Sequence, residues 1–188
     1  MQIENSKEWC AVSYFAAAFA RSGGEWVASE TDLDDVETVE DVVDAVHQVE
    51  SDDEIVLVFV EEENWFGVVR VEGDEEPRVY VSDGAETFRS PVGEALVSEL
   101  AEEHRLAAVV AGDVGGEVPV PATDLDEDED EPVELPSEPI GEAGLLDDLG
   151  IRAEDLNRLA EAIGTPPAAA VAFLAERLGF AEALEAVR

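Results

Sequence analysis

Cysteine, lysine and histidine are nearly missing from this chain, and each shortage excludes a class of protein. Cys10 is the single cysteine, so an internal disulfide and a multi-cysteine zinc or iron-sulfur site are excluded. With no other thiol, a reduced, cytoplasmic setting is the simplest prediction. No apolar run reaches the roughly 20 residues that a membrane-spanning helix needs, so we expect a soluble chain.

Positive charge is also scarce, because 10 lysine and arginine residues stand against 48 aspartate and glutamate residues. The formal net charge of -38 repels phosphate backbones, so we expect no direct contact with nucleic acid. The same charge suits either a basic protein partner or a salt-rich cytoplasm, in which the carboxylates would be spread over every face. Composition leaves both open.

The opening stretch WCAVSYFAAAFA has the length of a signal-peptide core and ends in an A-x-A pattern. Its leader carries Glu4 and Glu8, however, and lacks the positive region of a signal peptide, so we predict no secretion. An alanine-rich helix and a first strand remain. The glycine pair that follows interrupts a helix, and the aromatic residues Tyr14, Phe15 and Phe19 favour a sheet, so we predict a strand.

Charge and proline divide the chain into an N-terminal extension (1–11), an α+β domain (12–111), a linker (112–141) and a helical C-terminal unit (142–188). The linker contains five prolines, no aromatic residue and six consecutive acidic residues from Asp126 to Glu131. Such a segment buries too little apolar surface to offset the entropy of ordering. We therefore expect an acidic, disordered and extended linker.

The α+β domain is predicted to hold an antiparallel sheet of about five strands with two helices. YFAAAFA and EWVASETDL, on either side of SGG, predict a hairpin. A meander is predicted from three β-rich runs separated by EEEN and EGDEEP, namely Ile55–Val60, Trp65–Val71 and Arg78–Ser82.

Two helices complete the predicted domain. Valines at three- and four-residue spacing predict a first helix from about Val36, capped by Asp34 or Asp35, and a second helix follows over about Val92–Glu103. The next run, LAAVVAGD, fits either a last strand or the tail of the second helix.

The C-terminal unit is predicted to be a small helical bundle. Thr165 and Pro166 mark the start of a helix over 166–178, and Gly179 marks its stop. Another helix lies between Gly150 and Gly164, and short pieces over 145–149 and 181–187 complete the bundle. A unit this small buries little surface alone, so we expect it to dock on another surface.

Motifs that carry chemistry are missing: there is no phosphate-binding loop, nucleophile elbow or dinucleotide fingerprint. His47 and His104 fall near predicted helix ends, where the helix dipole explains them. We therefore predict no catalytic, cofactor-binding or metal-binding residues. Trp26, Trp65 and Phe66 are the candidate partner-contact residues, although core packing is the more common role of aromatic residues in strands.

Three stretches together resemble a known family: SYFAAAFARSGGEWVASETDLDDVETVEDVVD, VLVFVEEENWFGVVRVEGDEEPRVYVSD and GEAGLLDDLGI. They are similar to the actinobacterial tRNA adenosine deaminase-associated proteins over most of the chain, from about Val12 onward. Members of that family begin where this chain has Val12, so we expect residues 1–11 to reflect a misassigned start. The resemblance carries over no catalytic or binding residue.

The resemblance implies a non-enzymatic acidic accessory protein that contacts a tRNA adenosine deaminase, or another basic RNA-handling protein, in the cytoplasm. The chain is not the deaminase itself, because the zinc deaminases need H-x-E with P-C-x-x-C, and neither motif is present. The alternative is an autonomous soluble acidic domain that is adapted to high salt and has no link to the deaminase.

Overall fold

A computed structural model describes residues 14–22, 24–47, 55–73, 75–98, 100–101, 135–162 and 165–188. Within these residues, six strands form one antiparallel sheet in the order β2-β1-β3-β4-β5-β6. The strands are β1 (Phe15–Ser22), β2 (Glu25–Glu30), β3 (Ile55–Glu61), β4 (Phe66–Glu72), β5 (Arg78–Val81) and β6 (Ile140–Gly141).

The predicted α+β class, hairpin and meander are confirmed. One strand more than the expected five or so is present, because β6 comes from the end of the span predicted to be the linker, 112–141. Residues 112–134, the N-terminal extension, the run LAAVVAGD and His104 lie outside the described residues.

Both faces of the sheet are buried, which explains why its central strands are apolar throughout. Ala16 and Ala18 of β1 belong to the core on one face, whereas Ala17 and Phe19 belong to the core on the other. The residues of β3 alternate in the same way. Its sequence IVLVFVE is therefore an almost unbroken apolar run, since neither face meets water.

The first face is covered by α1 (Val39–His47) and by a helix over residues 91–98, which we call α3. Both predicted helices of the domain are thus confirmed, and a short helix, α2 (Gly84–Thr87), precedes α3. The start of α1 is closed by a capping box: the Thr38 N–H donates to Asp41 Oδ2 at 3.0 Å, and the Asp41 N–H donates to Thr38 Oγ1 at 3.3 Å. The prediction of Asp34 or Asp35 as the cap is wrong, because both lie in a turn before the helix begins.

The second face is covered by the C-terminal unit, in which the predicted helices are confirmed. Its elements are a 3₁₀ helix (Ala143–Leu149), α4 (Ala153–Ala160), α5 (Pro167–Leu178) and α6 (Ala181–Ala186). Phe180, between α5 and α6, stacks on Phe19 of β1 with ring centroids 4.2 Å apart, and it also lies 5.4 Å from Phe59 of β3. The surface on which this unit docks is therefore the sheet itself.

Arg70 of β4 fixes the 3₁₀ helix to the sheet, and only 3% of its side chain is exposed. Its Nη1 donates to the carbonyl of Leu145 at 2.5 Å, and its Nη2 donates to Asp148 Oδ2 at 2.8 Å and to Glu72 Oε1 at 2.6 Å. Nη1 also contacts Asp148 Oδ1, so the Asp148 carboxylate is held in two places. Such a paired arrangement compensates for the cost of burying the guanidinium.

Asp148→Asn should lower the free energy of unfolding at neutral pH by about 1 kcal/mol, because the amide cannot replace two charged hydrogen bonds. More than half of this carboxylate is exposed, so water screens part of the ion pair. Hydrogen bonds from Arg70 hold the pKa of Asp148 below its usual range. The contribution is therefore complete above about pH 4 and is lost as the pH falls through the lowered pKa.

Urea unfolding of both proteins at neutral pH and at about pH 3 measures this difference, which should shrink at the acid end. Glu75→Gln, in the exposed β4–β5 loop, is the matched control and should change stability by less than about 0.5 kcal/mol at both pH values. An Asp148→Asn loss that is the same at both pH values would contradict the ion pair as its cause.

Candidate protein-interaction surfaces

The three aromatic residues predicted to contact a partner lie in or against the core. Trp65 is 1% exposed and Phe66 is 2% exposed, and they belong to the cores on opposite faces of the sheet. Trp26 is half-buried: its Nε1 donates to the carbonyl of Leu178 at 3.0 Å, and its ring lies 5.2 Å from that of Phe180. Trp26 therefore stays partly accessible, and further surfaces are open to a partner.

One such surface is a cleft of about 350 Å³ where the start of β1, the β3–β4 turn and the start of α5 meet. Hydrogen bonding between the Glu62 N–H and the Trp65 carbonyl, at 2.9 Å, closes the turn and places three consecutive glutamates at the rim. We call this surface the acidic cleft, and its lining residues are Tyr14, Phe15, Glu61, Glu62, Glu63, Pro166, Pro167 and Ala168.

One arginine of this chain contacts two of the residues that line the acidic cleft. Arg188 forms an ion pair with Glu61, and its guanidinium carbon lies 5.2 Å from the centre of the Phe15 ring. Burial raises the pKa of the Glu61 carboxyl, and Arg188 opposes that rise. The guanidinium thus has a carboxylate on one side and an aromatic ring on the other. This arrangement stabilises a guanidinium through charged hydrogen bonds and cation–π attraction.

One carboxylate oxygen of the acidic cleft lacks a hydrogen-bond partner in the part of the chain that the structure describes, whereas the neighbouring tyrosine hydroxyl is already paired. The Oε1 atom of Glu62 is buried and has no hydrogen-bond partner among the described residues. The Tyr14 hydroxyl donates to Asp34 Oδ1 at 2.9 Å and accepts from the Leu33 N–H at 2.8 Å. A buried carboxylate oxygen without a donor is costly, and a partner's N–H group would satisfy it.

A second surface is a groove of about 280 Å³ in the C-terminal unit, between α4 and α5. Its floor is apolar, with Ile151 and Leu174 buried, whereas the ring of Phe173 is 45% exposed. We call it the α4–α5 groove, and its lining residues are Ile151, Asp155, Arg158, Leu159, Ala162, Phe173, Leu174 and Arg177.

The sequence does not point to either surface. EEEN predicts only a turn between strands, and Arg188 reaches Glu61 across 127 positions of sequence, so no local spacing links them. Helical periodicity places Phe173 across α5 from the buried Val171 and about 100° around the helix from the buried Leu174, and this is the available signal for the groove.

Two kinds of site are missing from the described part of the chain. No three or more histidine, cysteine, aspartate or glutamate side chains in it are arranged to hold a metal ion. None of its helices is long and apolar enough to cross a bilayer.

A family model matches residues 14–181, and its description is Rv3753c-like tRNA adenosine deaminase-associated protein. The chain belongs to this family. The match covers the sheet and most of the C-terminal unit, so the resemblance in the aromatic-alanine opening, the meander and GEAGLLDDLGI is confirmed. The description is of a protein associated with a deaminase, and not of a deaminase. No curated protein and no solved structure gives a significant match.

Proposed function

We propose that this chain is a non-enzymatic acidic accessory protein that binds a tRNA adenosine deaminase by direct protein contact. The family description supplies the association, and the geometry of the acidic cleft supplies a means of contact. The observation that carries the proposal is the guanidinium of Arg188, which is held between Glu61 and Phe15.

Electrostatics favours such a contact. An enzyme that binds tRNA needs a basic surface for the phosphate backbone, and a chain with a net charge of -38 is attracted to that surface and repelled by RNA. Attraction of this kind speeds association and weakens as salt screens it. The proposal therefore includes a protein partner and excludes direct binding to nucleic acid, with both proteins in the cytoplasm and no cofactor in this chain.

The acidic cleft can take a partner's arginine in two ways. That arginine can bind Glu62 and Glu63 beside Arg188, or it can displace Arg188 from Glu61. Arg188 is itself about one third exposed, so it can be displaced without unpacking the core. The first route pairs a partner cation with Glu62, whose Oε1 has no hydrogen-bond partner in the described part of the chain.

Glu62→Gln combined with Glu63→Gln should weaken the complex with the deaminase roughly fivefold at low salt, because two exposed or partly exposed charge pairs are worth about 1 kcal/mol in total. The measurement is co-purification of this chain with the purified deaminase at low salt, followed by titration calorimetry as salt is raised. The unaltered complex should also weaken steeply with salt.

Glu75→Gln combined with Glu76→Gln is the matched control. It removes the same charge from the exposed β4–β5 loop, at the opposite end of the sheet from the acidic cleft. The control should weaken the complex much less than the cleft variant. No complex at low salt would refute the association, and equal losses in both variants would refute the acidic cleft as its site.

A further inference from the structure

The α4–α5 groove differs in charge from the rest of this acidic chain. Two arginines and one aspartate line it, so its local charge is positive in a chain whose formal net charge is -38. The remaining lining residues, Ile151, Leu159, Ala162, Phe173 and Leu174, are apolar. An apolar floor between cationic rims is a recognition surface of a different kind from the acidic cleft.

Phe173 presents apolar surface in the groove that a partner can cover. Its ring is 45% exposed, although the neighbouring Leu174 of the same helix is completely buried. Interfaces gain most from aromatic and arginine side chains that become covered near their centre. Here Phe173 lies beside Arg177, whose guanidinium carbon is 5.9 Å from the centre of the ring.

The two arginines are not equally available. Arg158 Nη1 donates to Asp155 Oδ1 at 2.7 Å, within the same helix. In the described part of the chain no carboxylate lies within salt-bridge distance of Arg177. Arg177 can therefore bind a carboxylate of a partner in the bidentate geometry that guanidinium and carboxylate groups prefer.

The negative charge of the chain also disfavours other occupants of the α4–α5 groove. A nucleic acid would be repelled by the acidic surface around the groove, and two arginines make a small footprint for a phosphate backbone. A second copy of this chain would bring together two bodies that each carry a net charge of -38. A short peptide segment that binds in the groove lies close to its arginines. At moderate salt, charges more than about 10 Å away are largely screened, so the rest of the acidic surface repels such a segment only weakly.

We propose that the α4–α5 groove binds a short segment of a partner protein in which a large apolar side chain is flanked by carboxylates. The apolar side chain fills the floor against Phe173 and Leu174, and a carboxylate pairs with Arg177. This proposal goes beyond the association with a deaminase and does not depend on it. Because apolar contact carries the binding, it should persist as salt rises, in contrast to a contact at the acidic cleft.

The test is panning of a displayed library of short random peptides against the full chain, with selected peptides then measured by fluorescence anisotropy. Enriched peptides should share an apolar residue next to aspartate or glutamate. Phe173→Ser should weaken the binding of these peptides at least about tenfold. Arg177→Gln should weaken the binding of the acidic peptides more than the binding of matched peptides in which asparagine or glutamine replaces the acid.

Arg152→Gln is the matched control, since it removes one exposed arginine of the same unit that does not line the groove, and it should leave affinity nearly unchanged. Thermal melting of each variant confirms that it is folded. No enrichment, or enrichment unaffected by Phe173→Ser, would overturn the proposal. A dimer that forms with rising concentration and is lost in Phe173→Ser would also overturn it, because the occupant would then be a second copy.

Discussion

Phe180→Ala should lower the free energy of unfolding by roughly 3–5 kcal/mol, the usual cost of removing a fully buried phenylalanine. The ring is 1% exposed and meets three other aromatic rings: Phe19, Trp26 and Phe59. Two of these belong to the central strands β1 and β3, so the loss falls on the contact between the C-terminal unit and the sheet. Urea unfolding monitored by tryptophan fluorescence measures it, because Trp26 lies beside the cavity.

Phe173→Ala is the matched control for Phe180→Ala. It makes the same change of side chain in the same unit, at a ring that is 45% exposed, and it should cost less than about 1 kcal/mol. Limited proteolysis should also cut the C-terminal unit faster in Phe180→Ala than in the control. Similar stability losses in the two variants would show that Phe180 does not anchor this unit.

Gly141→Ala is the second change with a large expected effect, roughly 3 kcal/mol or more. Gly141 belongs to β6 and has a φ of 96°, in the left-handed region that favours glycine. A Cβ at this position would lie 2.2 Å from the carbonyl oxygen of Val79 in β5. The Cβ is bonded directly to the backbone of β6, and the oxygen belongs to the backbone of β5, so no side-chain rotation can relieve the clash. β6 must therefore separate from β5.

Gly150→Ala separates this clash from backbone strain. Gly150 has the same φ of 96°, but nothing lies within 4 Å of the position that a Cβ would take there. It should therefore cost only about 1 kcal/mol, the penalty of a left-handed alanine. Urea unfolding of both variants gives the comparison. Equal losses would mean that the contact with Val79 relaxes easily and that β6 contributes little to the attachment of the C-terminal unit.

Local signals are enough to predict most of the fold. The β1–β2 hairpin follows from aromatic and apolar residues around a glycine, and Gly24 does have a positive φ of 94°. The end of α5 follows from Gly179, whose φ of 85° only glycine adopts readily. These features depend on neighbours in sequence, so periodicity and turn chemistry are sufficient to find them.

The sixth strand could not be predicted in this way. Ile140 and Gly141 lie at the end of a span rich in proline and acidic residues, whose composition favours disorder. Two residues are too few for a periodic signal. They form β6 because β5 offers a free edge: Tyr80 pairs with Gly141, and Val81 pairs with Ile140. That edge exists only in the folded sheet, and so the strand is a tertiary effect.

The candidate surfaces could not be predicted for the same reason. Trp65 and Phe66 fit an exposed aromatic patch if one face of the sheet is open, but the C-terminal unit covers the second face and the helices cover the first. The acidic cleft joins Glu61 to Arg188, and the two side chains meet only after the C-terminal unit has docked. Prediction of either surface requires the position of that unit on the sheet.

Among the described strands, β2 and β6 stand at the two edges of the sheet, and neither is a good template for aggregation. Exposed backbone groups along an edge strand can recruit a strand from another molecule. β6 has two residues, which is too short to act as a template, and β2 begins and ends with the exposed residues Glu25 and Glu30. Two copies that met edge to edge would bring these carboxylates together, so the chain should stay dispersed at concentrations where a neutral sheet would form fibrils.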